Sequence, residues 1–268
     1  AGRAASGHPA APRVARDLAD RLVVEKPPGW EVDQGLSDVL GSDSVQTTDT
    51  DSSKADNKKL SGFLASVLPP RRCPIVQDAA HRRGLLHRLD VPSSGLVLAA
   101  KTYEAYYDLS LQLSVGAIAR DYLVLCRGWV PPARGGVVAR VRWEEGSGRP
   151  SCAGGHLGKP AESRLKVLAH VLRGPAECLS LVAVRIATGR RHQIRAHLAL
   201  MGHPVACDGK YTCLDTFLAD LRWCPRNFLH RYCLGFSDLD GAAVAASSPP
   251  PPDLLGVLRR LRPRGGLE

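Results

Sequence analysis

The sequence predicts an α+β fold, and three observations carry that expectation. Runs of strand-forming residues recur at 22–24, 95–100, 120–126, 178–186 and 228–236, each bounded by Gly- or Pro-rich turns. Between them, apolar residues fall at helical spacing in short windows, for example Leu60, Phe63, Leu64 and Val67. The 268 residues are 44% hydrophobic, which supplies a full core, yet no apolar run approaches membrane-spanning length.

The elements follow in order. Residues 1–21 read as a basic extension: Ala/Gly/Pro-rich to residue 12, with Arg3, Arg13 and Arg16 and no acid before Asp17. Val14, Leu18 and Leu22 lie at helical spacing, so a short helix is expected there. A strand through Leu22-Val23-Val24 then runs into the turn Lys26-Pro27-Pro28-Gly29. In residues 41–57 only Val45 and Ala55 are apolar. That stretch reads as a polar insertion, a solvated loop unusually long for a compact domain and suited to meeting a partner. A helix around Leu60 to Val67 is stopped by Pro69-Pro70 and followed by Arg71 and Arg72.

A strand over residues 95–100 precedes Thr102, the expected N-cap of a helix through Tyr106, Leu109 and Leu113 that Gly116 closes. Strands are expected over 120–126, through Leu165 and Val167, and over 178–186, with a polar stretch to about residue 158 between the first two. A helix starts near His192, with Ile194, Leu198 and Met201 on its core face and Arg191 and Arg195 on another. Gly202 caps it and Pro204 prevents continuation. Phe228 opens a strand through Leu234 and Phe236. After the prolines 249–252, Asp253 is expected to cap a last helix with Leu254, Val257, Leu258 and Leu261 on one face. Residues 263–268 are a tail.

Lys plus Arg number 36 and Asp plus Glu 26, a formal net charge of +10. That excess suits a polyanion, nucleic acid first. Eight scattered cysteines contain no Cys-x-x-Cys pair, so zinc spacing is absent and neither metal nor disulfide framework is expected. They read as reduced thiols, mostly small core residues, in an intracellular compartment. The basic start suggests a mitochondrial or plastid protein, with cytosol or nucleus as the alternative.

Two stretches carry candidate chemistry. The first, from Gly84 to Leu98, places His87-Arg88-Leu89-Asp90 before a Val-Pro-Ser-Ser-Gly turn. Asp90 on a loop between buried flanks is a catalytic carboxylate, a turn cap, or the partner of Arg88 in a surface ion pair. The second runs from Thr188-Gly189-Arg190-Arg191-His192-Gln193-Ile194-Arg195-Ala196-His197 through Gly202-His203-Pro204 to Asp208-Gly209-Lys210-Tyr211. Together with the Lys-Pro-Pro-Gly turn, Arg120-Asp121-Tyr122, Lys159-Pro160-Ala161-Glu162-Ser163 and Leu229-His230, these motifs stand in the order seen in RluA-like pseudouridine synthases. The chain resembles that family from about residue 22 to 262, which would be its catalytic domain. Two positions depart from the usual pattern. Pro92 stands where an acidic residue is usual, removing a charge and a backbone donor, and Ser93 replaces a threonine but keeps the hydroxyl.

The resemblance implies a largely antiparallel mixed sheet flanked by helices, with a central RNA-binding cleft. It implies isomerisation of uridine to pseudouridine in structured RNA, rRNA or tRNA, without cofactor or metal. Asp90 takes the family's catalytic aspartate position, and a carboxylate kept ionised in a closed cleft needs a cation. By position that cation is Arg195, with Arg190 as the alternative; Arg195 otherwise holds a phosphate or a local acid. Tyr122 matches the active-site tyrosine, its ring suited to stacking on the base and its hydroxyl to proton transfer. His87, Arg88, Arg190, Arg191 and His192 are candidate RNA contacts, and Arg71, Arg72, Arg82 and Arg83 candidate phosphate contacts. Each histidine, His197 included, is equally suited to a structural role. Aromatics make up only 5% of the chain, so few stacking residues beyond Tyr122 are expected. The rival reading is a non-catalytic component of an organellar ribonucleoprotein, with protein partners, built on the same fold.

Overall fold

The computed structural model describes residues 11–32, 58–144, 150–174 and 177–264. The polar insertion at 41–57 lies outside the described residues. The chain divides into two compact units, 1–109 and 110–268, with the boundary inside one helix.

Unit 1 holds strands β1 (Arg13–Asp17), β2 (Arg21–Lys26) and β3 (Ser94–Ala100), antiparallel in that order, and helix α1 (Leu60–Val67). Helix α2 (Tyr103–Ser114) opens here and crosses the boundary. The helix expected over Val14 to Leu22 is a β-hairpin instead. Val14 stays exposed on β1 while Leu22 is buried on β2, so the four-residue spacing joins two unrelated environments. Ion pairs of Arg13 with Glu25 and of Lys101 with Asp17 hold β1 against the unit, and Leu18 N–H donates to Arg21 C=O at 3.0 Å to close the turn. Strands β2 and β3 are buried almost throughout, which explains their apolar runs. Helix α1 ends before Pro69 as expected, but only Leu60 and Leu64 of its four apolar positions are buried. The Thr102 hydroxyl caps α2 by accepting from Ala105 N–H at 3.1 Å, and Gly116 follows at φ +74°.

Unit 2 contains β4 (Ala119–Arg127), β5 (Gly136–Val138), β6 (Val141–Arg142), β7 (Cys152–Ala153), β8 (Glu162–Arg173), β9 (Glu177–Ile186), α3 (Gln193–Leu200), α4 (Leu214–Leu221), β10 (Leu229–Ser237), β11 (Ala243–Ser247), α5 (Pro252–Leu258) and β12 (Arg262–Pro263). Its sheet runs β11-β10-β4-β9-β8, with β5 and β12 also on β8, all antiparallel. β6 and β7 form a separate ribbon. Leu125, Leu179, Phe228, Leu254 and Val257 join strand and helix faces in one core.

Three expectations are corrected in this unit. Asp253 is not the cap of α5: Pro251 precedes the helix, and the Asp253 carboxylate accepts from Arg226 Nε at 2.7 Å. A proline at the first position of the helix leaves no N–H to cap there. Arg191 lies before α3 rather than on it, because His192 takes a left-handed conformation at φ +53°. Only Cys126, Cys207 and Cys224 of the eight cysteines are buried.

The core membership of Leu254 makes a prediction. Leu254→Ala should lower unfolding free energy by about 2–5 kcal/mol, whereas Leu218→Ala, at an exposed position of α4, should stay within about 0.5 kcal/mol. Urea unfolding of both variants checks this, and equal effects would contradict the core described above.

Candidate active site

In unit 1, the segment leading to Asp90 lies along β3. Leu85 bridges Ala99, Leu86 N–H donates to Leu98 C=O at 3.3 Å, and Leu98 N–H donates to His87 Nε2 at 3.3 Å. Leu85, Leu86 and Leu89 are buried, so the apolar residues of the motif anchor the loop while Arg88 stays exposed. Gly84 begins the segment at φ +80°, and a Cβ there would sit 2.5 Å from the Ala100 carbonyl oxygen. Only glycine serves both demands. The chain then reverses through a turn in which Ser93 N–H donates to Asp90 C=O at 3.0 Å. Pro92 occupies the third place of this turn, where no donor is required, so the missing N–H does not open it. Asp90 is half-buried at its start.

The Lys-Pro-Pro-Gly turn holds that loop from the other side. Gly29 N–H and Lys26 Nζ both donate to the Val91 carbonyl, at 2.8 and 3.2 Å. The same ammonium donates to Trp30 C=O at 2.8 Å and Pro27 C=O at 3.0 Å. Lys26 is fully buried, a placement that requires such a set of acceptors. The sequence offered no reason to connect this turn with Asp90; the buried lysine supplies it.

In unit 2, the second motif is organised around Arg195. Its Nε and Nη2 donate to the two oxygens of Asp208 at 2.7 and 2.6 Å, and the Tyr211 ring lies 5.1 Å from the guanidinium carbon. The Asp-x-x-Tyr element thus grips the edge of one guanidinium and covers its face. Arg195 and Asp208 are both buried. Gln193 ties the motif to β8: its Oε1 accepts from the Thr188 hydroxyl and Arg190 N–H, and its Nε2 donates to Glu162 C=O at 2.8 Å. His197 bridges the Ser163 hydroxyl at 3.0 Å and the Ala139 carbonyl at 3.1 Å, and burial pushes its imidazole below the ordinary value. Its position is that of a structural histidine.

Tyr122 is buried on β4, opposite Arg231 on β10. The Arg231 Nε donates to the Tyr122 hydroxyl at 2.8 Å, and Nη2 reaches the same oxygen. Alternation along β4 puts Arg120 on the same face and Asp121 on the other, where Asp121 accepts both donors of the exposed Arg185 at 2.6 Å. Arg120 is buried and donates to Ala187 C=O at 2.6 Å; burial first, and the Arg231 charge as well, push its pKa down to about 10. A Cβ on Gly189 would sit 2.8 Å from this guanidinium, so the glycine of the motif admits Arg120. Arg231 and Arg120 were missed as site residues. Arg231 follows the quoted Leu229-His230, but only strand register reveals its partner.

The structure places the remaining candidates as follows. Arg71, Arg72 and Arg190 are exposed, and Arg190 Nε donates to Pro160 C=O at 3.1 Å. Arg191 stacks over Trp143 at 4.3 Å. His192 Nδ1 lies 3.3 Å from the Tyr211 hydroxyl. His87 Nε2 is engaged by β3 as an acceptor. Among the described residues no three His, Cys, Asp or Glu side chains converge to hold a metal, and no helix is long and apolar enough to cross a membrane.

Comparison with known proteins adds three findings. The profile of a family described as RNA pseudouridylate synthase matches residues 20–200. Ribosomal large subunit pseudouridine synthase D of Nitrosomonas europaea is 35% identical over 185 residues, covering 68% of this chain and 52% of its own. The synthase of the same name from Neisseria meningitidis is 32% identical over 216 residues, covering 78% of this chain and 54% of its own. The chain therefore spans about half the length of these relatives. Among solved structures, human RNA Pseudouridylate Synthase Domain Containing 1 superposes with a TM-score of 0.67 at 22% identity, over 98% of this chain and 92% of its own. That likeness is one of fold, and it agrees with the expected α+β class.

Two predictions follow from the buried groups of the second motif. Asp208→Asn leaves a buried guanidinium without its anion and should cost about 3–5 kcal/mol; an unchanged urea midpoint would contradict the pairing. The depressed imidazole of His197 has the opposite pH signature to a salt-bridged histidine. Its folded value lies below the ordinary 6.5, so the unfolded chain takes up the proton first and stability falls as pH drops below that value. Urea midpoints from about pH 7 to pH 5 should decline more steeply in the parent than in His197→Gln.

Proposed function

Because the chain belongs to the RNA pseudouridylate synthase family, we propose that it isomerises uridine to pseudouridine in structured RNA. The observation that carries this reading is that the matched span, residues 20–200, contains Asp90, Tyr122 and Arg195 in the family's motif order. The reaction breaks the bond from the sugar carbon to uracil N1 and forms one from the same carbon to C5. C5 loses a proton and N1 gains one, so no atom is added or removed. Asp90 supplies the carboxylate that drives this exchange, and covalent catalysis by a carboxylate is a reasonable route for it.

Support for the other roles comes from how each group is held. Arg231 donates twice to the Tyr122 oxygen, which fixes the hydroxyl as an acceptor toward Arg231 and aims its own proton elsewhere. The hydroxyl is then oriented for proton transfer. Arg195 is the cation proposed to keep the Asp90 carboxylate ionised, with Asp208 and Tyr211 fixing its orientation. Exposed Arg88 and Arg190, with Arg71 and Arg72, suit phosphate contacts. The relatives' names point to ribosomal RNA of the large subunit as the substrate class, and the net charge of +10 suits a polyanion.

Asp90→Asn tests the reading most directly. The variant should bind RNA with near-parental affinity and unfold at the parental urea midpoint, while pseudouridine formation falls by at least about 10³-fold, the scale on which loss of a catalytic group is felt. Pseudouridine is counted after digestion of a uridine-containing transcript. Turnover within a few-fold of the parent would remove Asp90 from the chemistry.

A further inference from the structure

Three of the chain's six tyrosines, Tyr103, Tyr106 and Tyr107, open helix α2, and the reaction proposed above uses none of them. Positions i, i+3 and i+4 share one face of a helix. All three rings stand edge-on to the imidazole of His81, with centroids 4.8, 5.3 and 5.6 Å away and interplanar angles of 81°, 77° and 90°. The imidazole is itself fixed. His81 Nδ1 lies 2.8 Å from Asp78 Oδ2, so the carboxylate makes that nitrogen the proton donor, and Nε2 faces the Tyr107 hydroxyl at 2.9 Å. The Tyr103 hydroxyl donates to the same Asp78 oxygen at 3.1 Å, while Oδ1 accepts from the backbone of Ala80 at 2.9 Å. Tyr103 and Tyr107 are tethered at their polar ends, yet Tyr107 is 61% and Tyr103 37% exposed.

The turn that carries His81 is basic. Arg82 is exposed and has no ion-pair partner among the described residues. Arg82 and Arg83 adopt left-handed backbone angles, φ +50° and +52°, uncommon for long side chains. Hydrogen bonds from Arg82 N–H to Ala79 C=O at 3.0 Å and from Arg83 N–H to Asp78 C=O at 2.8 Å hold them there. The turn that presents His81 therefore also sets where these guanidiniums leave the chain. The acids nearby are Asp78, bound to His81 and Tyr103, Asp108, paired with Arg21, and Glu104 in the first turn of α2.

Exposed, pre-oriented rings on a turn that also carries the unpaired Arg82 match the two needs of a single nucleic-acid strand, a surface for bases and a charge for phosphate. We propose that Tyr103 and Tyr107, braced by His81 and Asp78 and with Arg82 on the adjoining turn, form a stacking platform for an unpaired segment of the RNA substrate. The proposal rests on the RNA-modifying reading and adds to it a surface that grips the strand. A caged methylated cation is a poorer fit, since His81 already fills the space between the tyrosines. A proline-rich peptide would gain little from the arginines.

The test uses the full chain and two labelled RNAs: a blunt hairpin, and the same hairpin with a single-stranded uridine-rich tail. Tyr103→Ala and Tyr107→Ala should each weaken binding of the tailed RNA by roughly 5- to 150-fold per lost stacked base. Hairpin binding and the slope of log affinity against log salt should stay unchanged. Arg82→Gln should instead lower that slope, by roughly 0.7 for the one charge, and Tyr107→Phe should keep most of the affinity. Urea midpoints confirm that each variant folds. Parental affinity for the tailed RNA in Tyr103→Ala/Tyr107→Ala, in a protein that forms pseudouridine, overturns the platform and leaves the catalytic reading standing. Loss of tail binding in that variant, with no pseudouridine from the parent, supports the platform and overturns the catalytic reading instead. Loss of proline-rich peptide binding with RNA binding intact assigns the surface to a protein and overturns the proposal.

Discussion

A cation taken out of water costs several kcal/mol unless the fold supplies acceptors, and this chain buries Lys26, Arg120, Arg195 and Arg231. Three carbonyls meet Lys26, Asp208 meets Arg195 and the Tyr122 hydroxyl meets Arg231, while Arg120 has the Ala187 carbonyl for one nitrogen and a buried Nε without a hydrogen-bond acceptor. These bonds are why the motifs have the spacing they have. Residue types that look like an RNA-binding inventory in the sequence are, in part, the fixtures of one another. The arginines that remain for phosphate are the exposed ones.

The same constraint explains how a short polar loop can present Asp90 reproducibly. A loop ordinarily moves more than the elements it joins, but here its backbone is fixed at both shoulders. The strand-like segment 84–87 bonds to β3, and the Val91 carbonyl is shared by Gly29 and Lys26. Replacing an acidic residue by Pro92 is compatible with this arrangement. The turn is closed by the Ser93 amide and anchored through the Val91 carbonyl, and neither bond requires an N–H at position 92.

How much could be read in advance depends on where the information lies. The strands β2, β3, β4, β9 and β10 were legible because buried strands read as continuous apolar runs. Thr102 and Gly116 bracketed α2 correctly, since capping is local chemistry. β1 was misread because an edge strand with exposed faces has no periodicity of its own, and Val14 borrowed one from Leu22. The strands β5, β6 and β7 are too short to leave a pattern. Asp253 looked like a cap because the residue type is right; it sits inside the first turn, where Oδ1 accepts from Leu254 N–H at 2.9 Å, and its carboxylate also pairs with Arg226, 27 residues away, which no local rule contains.

The candidate site divides along the same line. Asp90, Tyr122 and Arg195 stand in recognisable strings, so the resemblance reached them. Their partners stand elsewhere: Lys26 is 65 residues from Val91 and Arg231 is 109 from Tyr122. Register decides the second case. Arg231 pairs directly with Tyr122, and the irregularity that follows, between Arg231 and Cys233, lets β10 continue against Asp121 without disturbing that pair. Irregular pairing beside a functional side chain is a recurrent device for aiming it. A variant that restores regular pairing, by deleting Tyr232, keeps every motif and every proposed catalytic residue intact. It removes the extra residue while leaving Arg231 opposite Tyr122 and Cys233 opposite Asp121, so the strand keeps its faces and loses only the local bend and twist of the irregularity. Such a change separates two requirements that the sequence alone runs together: having the catalytic residues, and having the local bend beside Arg231 that aims its guanidinium at the Tyr122 hydroxyl.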